Sequence, residues 1–216
     1  MPKTVTVKGV GTASVKPDYI VLSIDVTSQR SDYTDSINNA NERIRLLQNA
    51  AVSMGFAKED LKTLSFNVNT KYETVSDGKG NYKKVFRGYS CEYKLKLSFD
   101  MDAKRLAKTL TAIAECGANA EFSIAFTVKN PEMVNTELLR SAAENARAKA
   151  EILCAAAGVK LGDLLTIDYS WSDINIYSAS RYMVPECDEF EYSDAPLFEP
   201  EDIKARDSAT FVWTIN

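Results

Sequence analysis

Apolar positions along the chain follow two rhythms, strict alternation and steps of three and four, and the rhythms come in blocks. Thr4 to Lys8 alternates as a strand. After Gly9-Val10-Gly11 and the Lys16-Pro17-Asp18 turn, Ile20, Leu22, Ile24 and Val26 alternate on one face, predicting a β-hairpin or at least two neighbouring strands. From about Ser31 to Met54 the apolar residues Ile37, Ala40, Ile44, Leu47, Ala51 and Met54 recur by three and four until Gly55, which predicts an amphipathic helix. Leu64, Phe66, Val68 and Tyr72 then alternate, as do Cys91, Tyr93, Leu95, Leu97 and Phe99. The polar Ser76–Asn81 stretch between them predicts the tip of a long hairpin. Asp102 is placed to cap a shorter helix carrying Leu106, Leu110 and Ile113 and closing at Gly117. A strand with Phe122, Ile124, Phe126 and Val128 follows.

The longest helix is expected from Pro131 to Ala157. Asn130 is a good N-cap, Pro131 loses nothing at the first helical position, and Gly158 supplies the left-handed stop. Val134, Leu138, Ala142, Ala146, Ile152, Leu153 and Ala156 keep near one side, while Glu137, Arg140, Glu144, Arg147 and Glu151 form a charge ladder. Such a helix lies on a sheet with its ladder in solvent. Its small residues Ala142, Ala146 and Ala156 allow a close approach. Leu165, Ile167, Tyr169 and Trp171, and later Ala209, Phe211, Trp213 and Ile215, alternate as the closing strands.

The stretch Gly55 to Leu64 aligns with Gly158 to Ile167 at an offset of 103, with Gly, Asp, Leu and Thr in register. The strands preceding the two long helices fall at nearly the same offset. The expectation is an α+β fold of two β-α-β-β units, about 19–99 and 121–216, within one domain spanning 1–216. Its antiparallel-rich sheet would carry both long helices on one face. Asp60 and Asp163 are read as parts of a helix stop, an Asx-type turn and a buried strand entry, not as a paired-carboxylate active site.

Composition narrows the chemistry. With 45% hydrophobic residues in 216, the chain can close a core without staples, and Cys91, Cys116, Cys154 and Cys187 have no C-x-x-C spacing. There is no histidine, which removes Ser-His-Asp and Cys-His systems, histidine metal ligands and histidine pH switches. Gly9-x-Gly11 lacks the third glycine and the helix of a nucleotide loop, so it reads as a bulge or a close backbone contact. No catalytic residue and no cofactor emerge. No apolar run approaches the ~18 residues of a membrane-spanning helix. The N-terminus has no apolar leader, so the chain as given is expected in the cytoplasm, or in the periplasm or envelope if a leader has been removed.

The net charge of −4 is uneven: eight acidic residues and no Lys or Arg lie between Glu186 and Asp202, leaving 22 acids against 26 bases elsewhere. Without a basic stripe, a nucleic-acid partner is not expected. The acidic run sits in a long loop, 172–206, that also holds Tyr177, Tyr182, Phe190, Tyr192 and Phe198. Aromatic side chains in an irregular loop are anchors for protein contacts. The leading expectation is therefore a non-enzymatic protein that self-assembles or binds a protein partner through this loop. The alternative is a metal binder or metal-dependent enzyme using Asp188, Glu189, Glu191 or Asp194.

In order along the chain stand Val5-Thr6-Val7-Lys8-Gly9-Val10-Gly11, Lys16-Pro17-Asp18, Asp60-Leu61-Lys62-Thr63, Gly88-Tyr89 and Gly117-Ala118-Asn119. Arg147-Ala148-Lys149-Ala150-Glu151, Ala155-Ala156-Ala157-Gly158-Val159 and the Pro200–Ala205 entry to the last strand complete the set. Together they resemble the SIMPL-domain family over nearly the whole chain. The resemblance implies a bacterial protein of α+β fold and unassigned biochemical function. It further implies self-assembly, and, for many members, export to the periplasm or envelope. No catalytic residues come with it.

Overall fold

The computed structural model describes residues 3–76, 82–170, 174–179 and 198–216, together with the backbone of 182–183. Its elements run β1 (Thr4–Val15), β2 (Tyr19–Arg30), α1 (Tyr33–Ser53), β3 (Lys62–Ser76), β4 (Tyr82–Asp100) and α2 (Ala103–Glu115). They continue with β5 (Glu121–Thr127), α3 (Pro131–Ala156), β6 (Leu161–Asp168), β7 (Tyr182–Met183) and β8 (Ile203–Ile215). The class is α+β, as expected, with the strands divided between two antiparallel sheets ordered β1-β8-β6 and β3-β4-β2-β5-β7. Contacts group the chain into two compact units. One is Met1–Asp18 with Phe126–Ser180 and Pro200–Asn216; the other is Tyr19–Ala125 with Arg181–Glu199.

In the first unit α3 lies on β1 and β8. Asn130 accepts the Glu132 N–H at 3.2 Å, Pro131 opens the helix, and Gly158 follows it with φ 70. The expected Ala142 and Ala146 are buried, but the stripe runs Val134, Leu138, Ala142, Ala146, Ala150, Cys154. Ile152, Leu153 and Ala156, expected on this face, are exposed. The reason is geometric: buried residues four apart form a ridge inclined to the helix axis, so the contact face rotates along a helix crossing a twisted sheet. Small residues continue the ridge, whatever larger apolar residues lie beside it.

Gly9 and Gly11 explain why the helix comes so close to the strand. A Cβ on Gly9 would stand 2.1 Å from the Ala142 carbonyl oxygen, and one on Gly11 still nearer the Leu138 carbonyl. These glycines are the close backbone contact that their lack of a nucleotide motif suggested. Val7, Ala146, Ala150, Ala209, Phe211 and Trp213 pack as one cluster, and Val128, Val134, Leu138, Ile176, Ile203 and Ala205 as another.

The expected β1–β2 hairpin does not form. β1 instead pairs antiparallel with β8 over its whole length, Thr4 opposite Thr214 through Val15 opposite Ile203. The turn at Lys16–Asp18 leads out of this sheet: the Asp18 N–H donates to the Thr127 carbonyl at 3.1 Å, and its carboxylate accepts the Lys129 N–H at 2.7 Å. Alternation fixed which side of β1 is apolar, but not its neighbour; the glycines that admit α3 tie β1 to the α3 sheet.

In the second unit β4 is central between β3 and β2, and α1 lies on β2 and β4. Asp32 caps α1 and Asp102 caps α2, the latter accepting from both Lys104 and Arg105. The buried stripe of α1 is Ser36, Ala40, Leu47 and Ala51. The two sheets share a layout: the strand after the long helix is outermost and its hairpin partner is next. The third place is taken by β2 in one sheet and by the N-terminal β1 in the other.

Candidate functional site

Among the described residues the strand β6 forms an edge of its sheet, paired on its β8 side alone. Register shifts flank Leu164, so the strand is kinked there. Leu164, Leu165 and Ile167 are 46%, 50% and 55% exposed, although the sequence expected a buried strand entry. The cause is the placement of α3, which covers β1 and β8 and scarcely reaches β6.

An open cleft of about 440 Å³ results, lined by Ala143, Arg147, Glu151, Leu161, Gly162, Asp163, Leu164, Ile167, Phe211 and Trp213. Phe211 and Trp213 stack with ring centroids 5.5 Å apart, 16° from parallel, and give the cleft an aromatic floor. On the helix rim Arg147 pairs with Glu151 at 3.0 Å. The Asp163 N–H donates to Thr214 Oγ1 at 2.8 Å, which anchors the start of β6. An ion pair closed on itself, an apolar floor and an unpaired strand edge make a binding surface. No nucleophile–base pair lines it.

Asp60 and Asp163 belong to different units, and only Asp60 makes the local turn bond, accepting the Ala57 N–H at 2.9 Å. A cleft of about 400 Å³ in the second unit is lined by Thr27, Arg30, Asn39, Glu42, Arg43 and Asn119 among others. Its Arg43 guanidinium donates to the carbonyls of Thr27, Ala118 and Asn119. Asn119 holds φ 44, and Arg43 secures that strained loop against β2. The guanidinium here is a staple.

Of the residues expected to form a contact loop, Tyr177, Phe198 and the Tyr182 backbone are among those described. Tyr177 is half exposed and bridges to Thr127 through its backbone; Phe198 is buried at 4%. The Tyr182 backbone pairs with Ile124. Phe190 and Tyr192 lie outside the described residues, as do Asp188, Glu189, Glu191 and Asp194. Among the described residues no three His, Cys, Asp or Glu side chains are grouped to hold a metal ion, and no helix is long and apolar enough to cross a membrane. Sequence reasoning missed the β6 cleft because Leu165 and Ile167 have the alternation of a core strand.

A two-sheet α+β chain with an open apolar strand edge is the class of protein these features define. The family described as SIMPL, protein of unknown function (DUF541), matches residues 5–213, and this chain belongs to it. It is 29% identical over 167 residues to the 26 kDa periplasmic immunogenic protein of Brucella melitensis, covering 77% of this chain and 66% of that protein's length. To the uncharacterized protein YggE of Edwardsiella ictaluri it is 23% identical, covering 95% and 85% of the two chains. YggE of Escherichia coli K12 is likewise 23% identical, over 95% and 81%.

Proposed function

We propose that this protein acts without catalysis, as a self-assembling or protein-binding member of its family, and that the β6 edge is its main contact surface. The uncovered edge carries the reading. An edge strand bearing exposed Leu164, Leu165 and Ile167 beside an aromatic-floored cleft is a template for another chain, its bulges blunting the start of the edge and leaving the regular stretch from Thr166 to Asp168 open. Main-chain hydrogen bonds along β6 would supply affinity, and the cleft would supply side-chain specificity. The loop 172–206 adds Tyr177, Tyr182, Phe190 and Tyr192 as further anchors, while Phe198 serves the fold.

The Brucella relatives are periplasmic immunogenic proteins, which favours the periplasmic location over the cytoplasmic one. Light scattering at tens of micromolar tests the assembly. The expected result is a mass above that of the 23.9 kDa chain, falling when Leu164 and Ile167 are both replaced by Lys with the far-UV spectrum unchanged. A strictly monomeric parent that also captures no partner would refute the reading.

A further inference from the structure

The β3–β4 hairpin outgrows its sheet. Its neighbour β2 ends at Arg30, opposite Tyr89, so 71–76 and 82–88 continue as a two-stranded ribbon. At strand rise the six residues of 71–76 extend it by about 20 Å. The exit point is a bulge at Lys71/Tyr72, where Gly88 has φ 114 and any Cβ would strike the Arg30 carbonyl. A two-stranded ribbon is marginal on its own, and this one keeps its apolar side chains in water.

Pairing sorts the ribbon into two faces. Tyr72 stands opposite Phe86 and Ser76 opposite Tyr82, so Tyr72, Thr74, Ser76, Tyr82, Lys84 and Phe86 share one face. Tyr72, Tyr82 and Phe86 are 58%, 74% and 45% exposed, and Phe86 makes edge contacts with both Tyr72 and Tyr89. The other face carries Val75, Lys83 and Val85, with Glu73, held by Arg87 at 2.6 Å, and Lys71, which reaches Glu92 at 4.0 Å. Among the described residues Lys83 and Lys84 have no acidic partner. With Arg87 on Glu73 and Lys71 near Glu92, the described ribbon keeps a surplus of two cations, Lys83 and Lys84, on a chain whose net charge is −4.

We infer that this ribbon docks on the surface of an anionic lipid bilayer. Amphipathic aromatic rings settle at the headgroup level, while neighbouring lysines reach lipid phosphates and keep their aliphatic stems against the apolar zone. The aromatic face offers the rings, Lys84 and the hydroxyls of Thr74 and Ser76, and Lys83 follows from the opposite face of the same narrow ribbon. The uncompensated positive charge complements an anionic headgroup surface. The contact is peripheral and separate from β6, so it holds whether or not the assembly reading does.

Cosedimentation of the full chain with vesicles tests it, using phosphatidylcholine alone and phosphatidylcholine with about one third phosphatidylglycerol. Binding is expected to the anionic vesicles only, and to weaken strongly as ionic strength rises from about 0.05 to about 0.5 M. Lys84→Gln should lower partitioning about fivefold, and Lys83→Gln with Lys84→Gln by up to roughly 25-fold, since each basic side chain near such a surface contributes about fivefold. Tyr82→Ser with Phe86→Ser should weaken it further while leaving the far-UV spectrum intact. Equal binding to both vesicle types, or binding to neither, overturns the proposal. So does a change in solution mass of the ribbon variants without lipid, which would make the ribbon a contact between copies. The Leu164→Lys, Ile167→Lys variant should bind vesicles at least as well as the parent chain, keeping the two surfaces distinguishable.

Discussion

The approach of Gly9 to α3 makes the most exacting prediction. Replacing Gly9 by Ala puts a methyl group 2.1 Å from the Ala142 carbonyl oxygen and 2.7 Å from the Ala146 Cβ. Carbon–oxygen contacts settle near 3.3 Å, so α3 must retreat by about 1 Å. The obstructing atom is backbone and has no rotamer to escape into. Overpacking of this kind costs about 1–3 kcal/mol, and the rigid neighbour favours the upper half of that range. With a urea slope of about 2 kcal/mol/M, the unfolding midpoint should fall by about 0.5–1.5 M. Adding Ala146→Gly to Gly9→Ala removes the side-chain clash, leaves the carbonyl clash and costs about 1 kcal/mol of helix propensity, so no recovery is expected. An unchanged midpoint for Gly9→Ala, or full recovery in the double variant, would refute the idea that β1 and α3 meet backbone to backbone.

Ala146→Leu should likewise lower the urea midpoint, by about 1–3 kcal/mol of stability, since Ala146 is fully buried against the sheet. Arg43→Met deprives three carbonyls of their charged donor and should cost about 2–3 kcal/mol in thermal unfolding; Arg43→Lys, with one compact ammonium, should recover only part. Burial first, and the neighbouring Glu92 second, push the Cys91 thiol up from its ordinary value. The fold therefore favours the neutral thiol: that stabilisation is complete below the unfolded value and is lost as pH rises through the folded one. Alkylation at about pH 8 should spare Cys91 in the native protein and reach it in urea, with mass spectrometry of the peptides as the readout. Removing residues 186–197, which spares buried Phe198, should leave unfolding cooperative but change sedimentation or partner capture; identical profiles would reduce the segment to a solvated insertion.

Helix limits were legible from the sequence because their causes are local. Asp102 and Asn130 cap within three residues, and Pro131 and Gly158 act at their own φ angles. The long β3–β4 hairpin was legible for the same reason, its two alternating runs being neighbours in the chain. Gly9 and Gly11 announced a close contact by the absence of a nucleotide loop around them. Strand partners were another matter: β1 meets β8 across nearly the whole chain, and alternation states which face is buried without naming the neighbour. The far end of the α3 stripe was misplaced because apolar identity suggested Ile152, Leu153 and Ala156, whereas the sheet's twist selects Ala150 and Cys154. Tertiary structure alone made β6 an edge. Its leucines and isoleucine have the composition of a core strand, and they stay in water because α3 is spent covering β1 and β8.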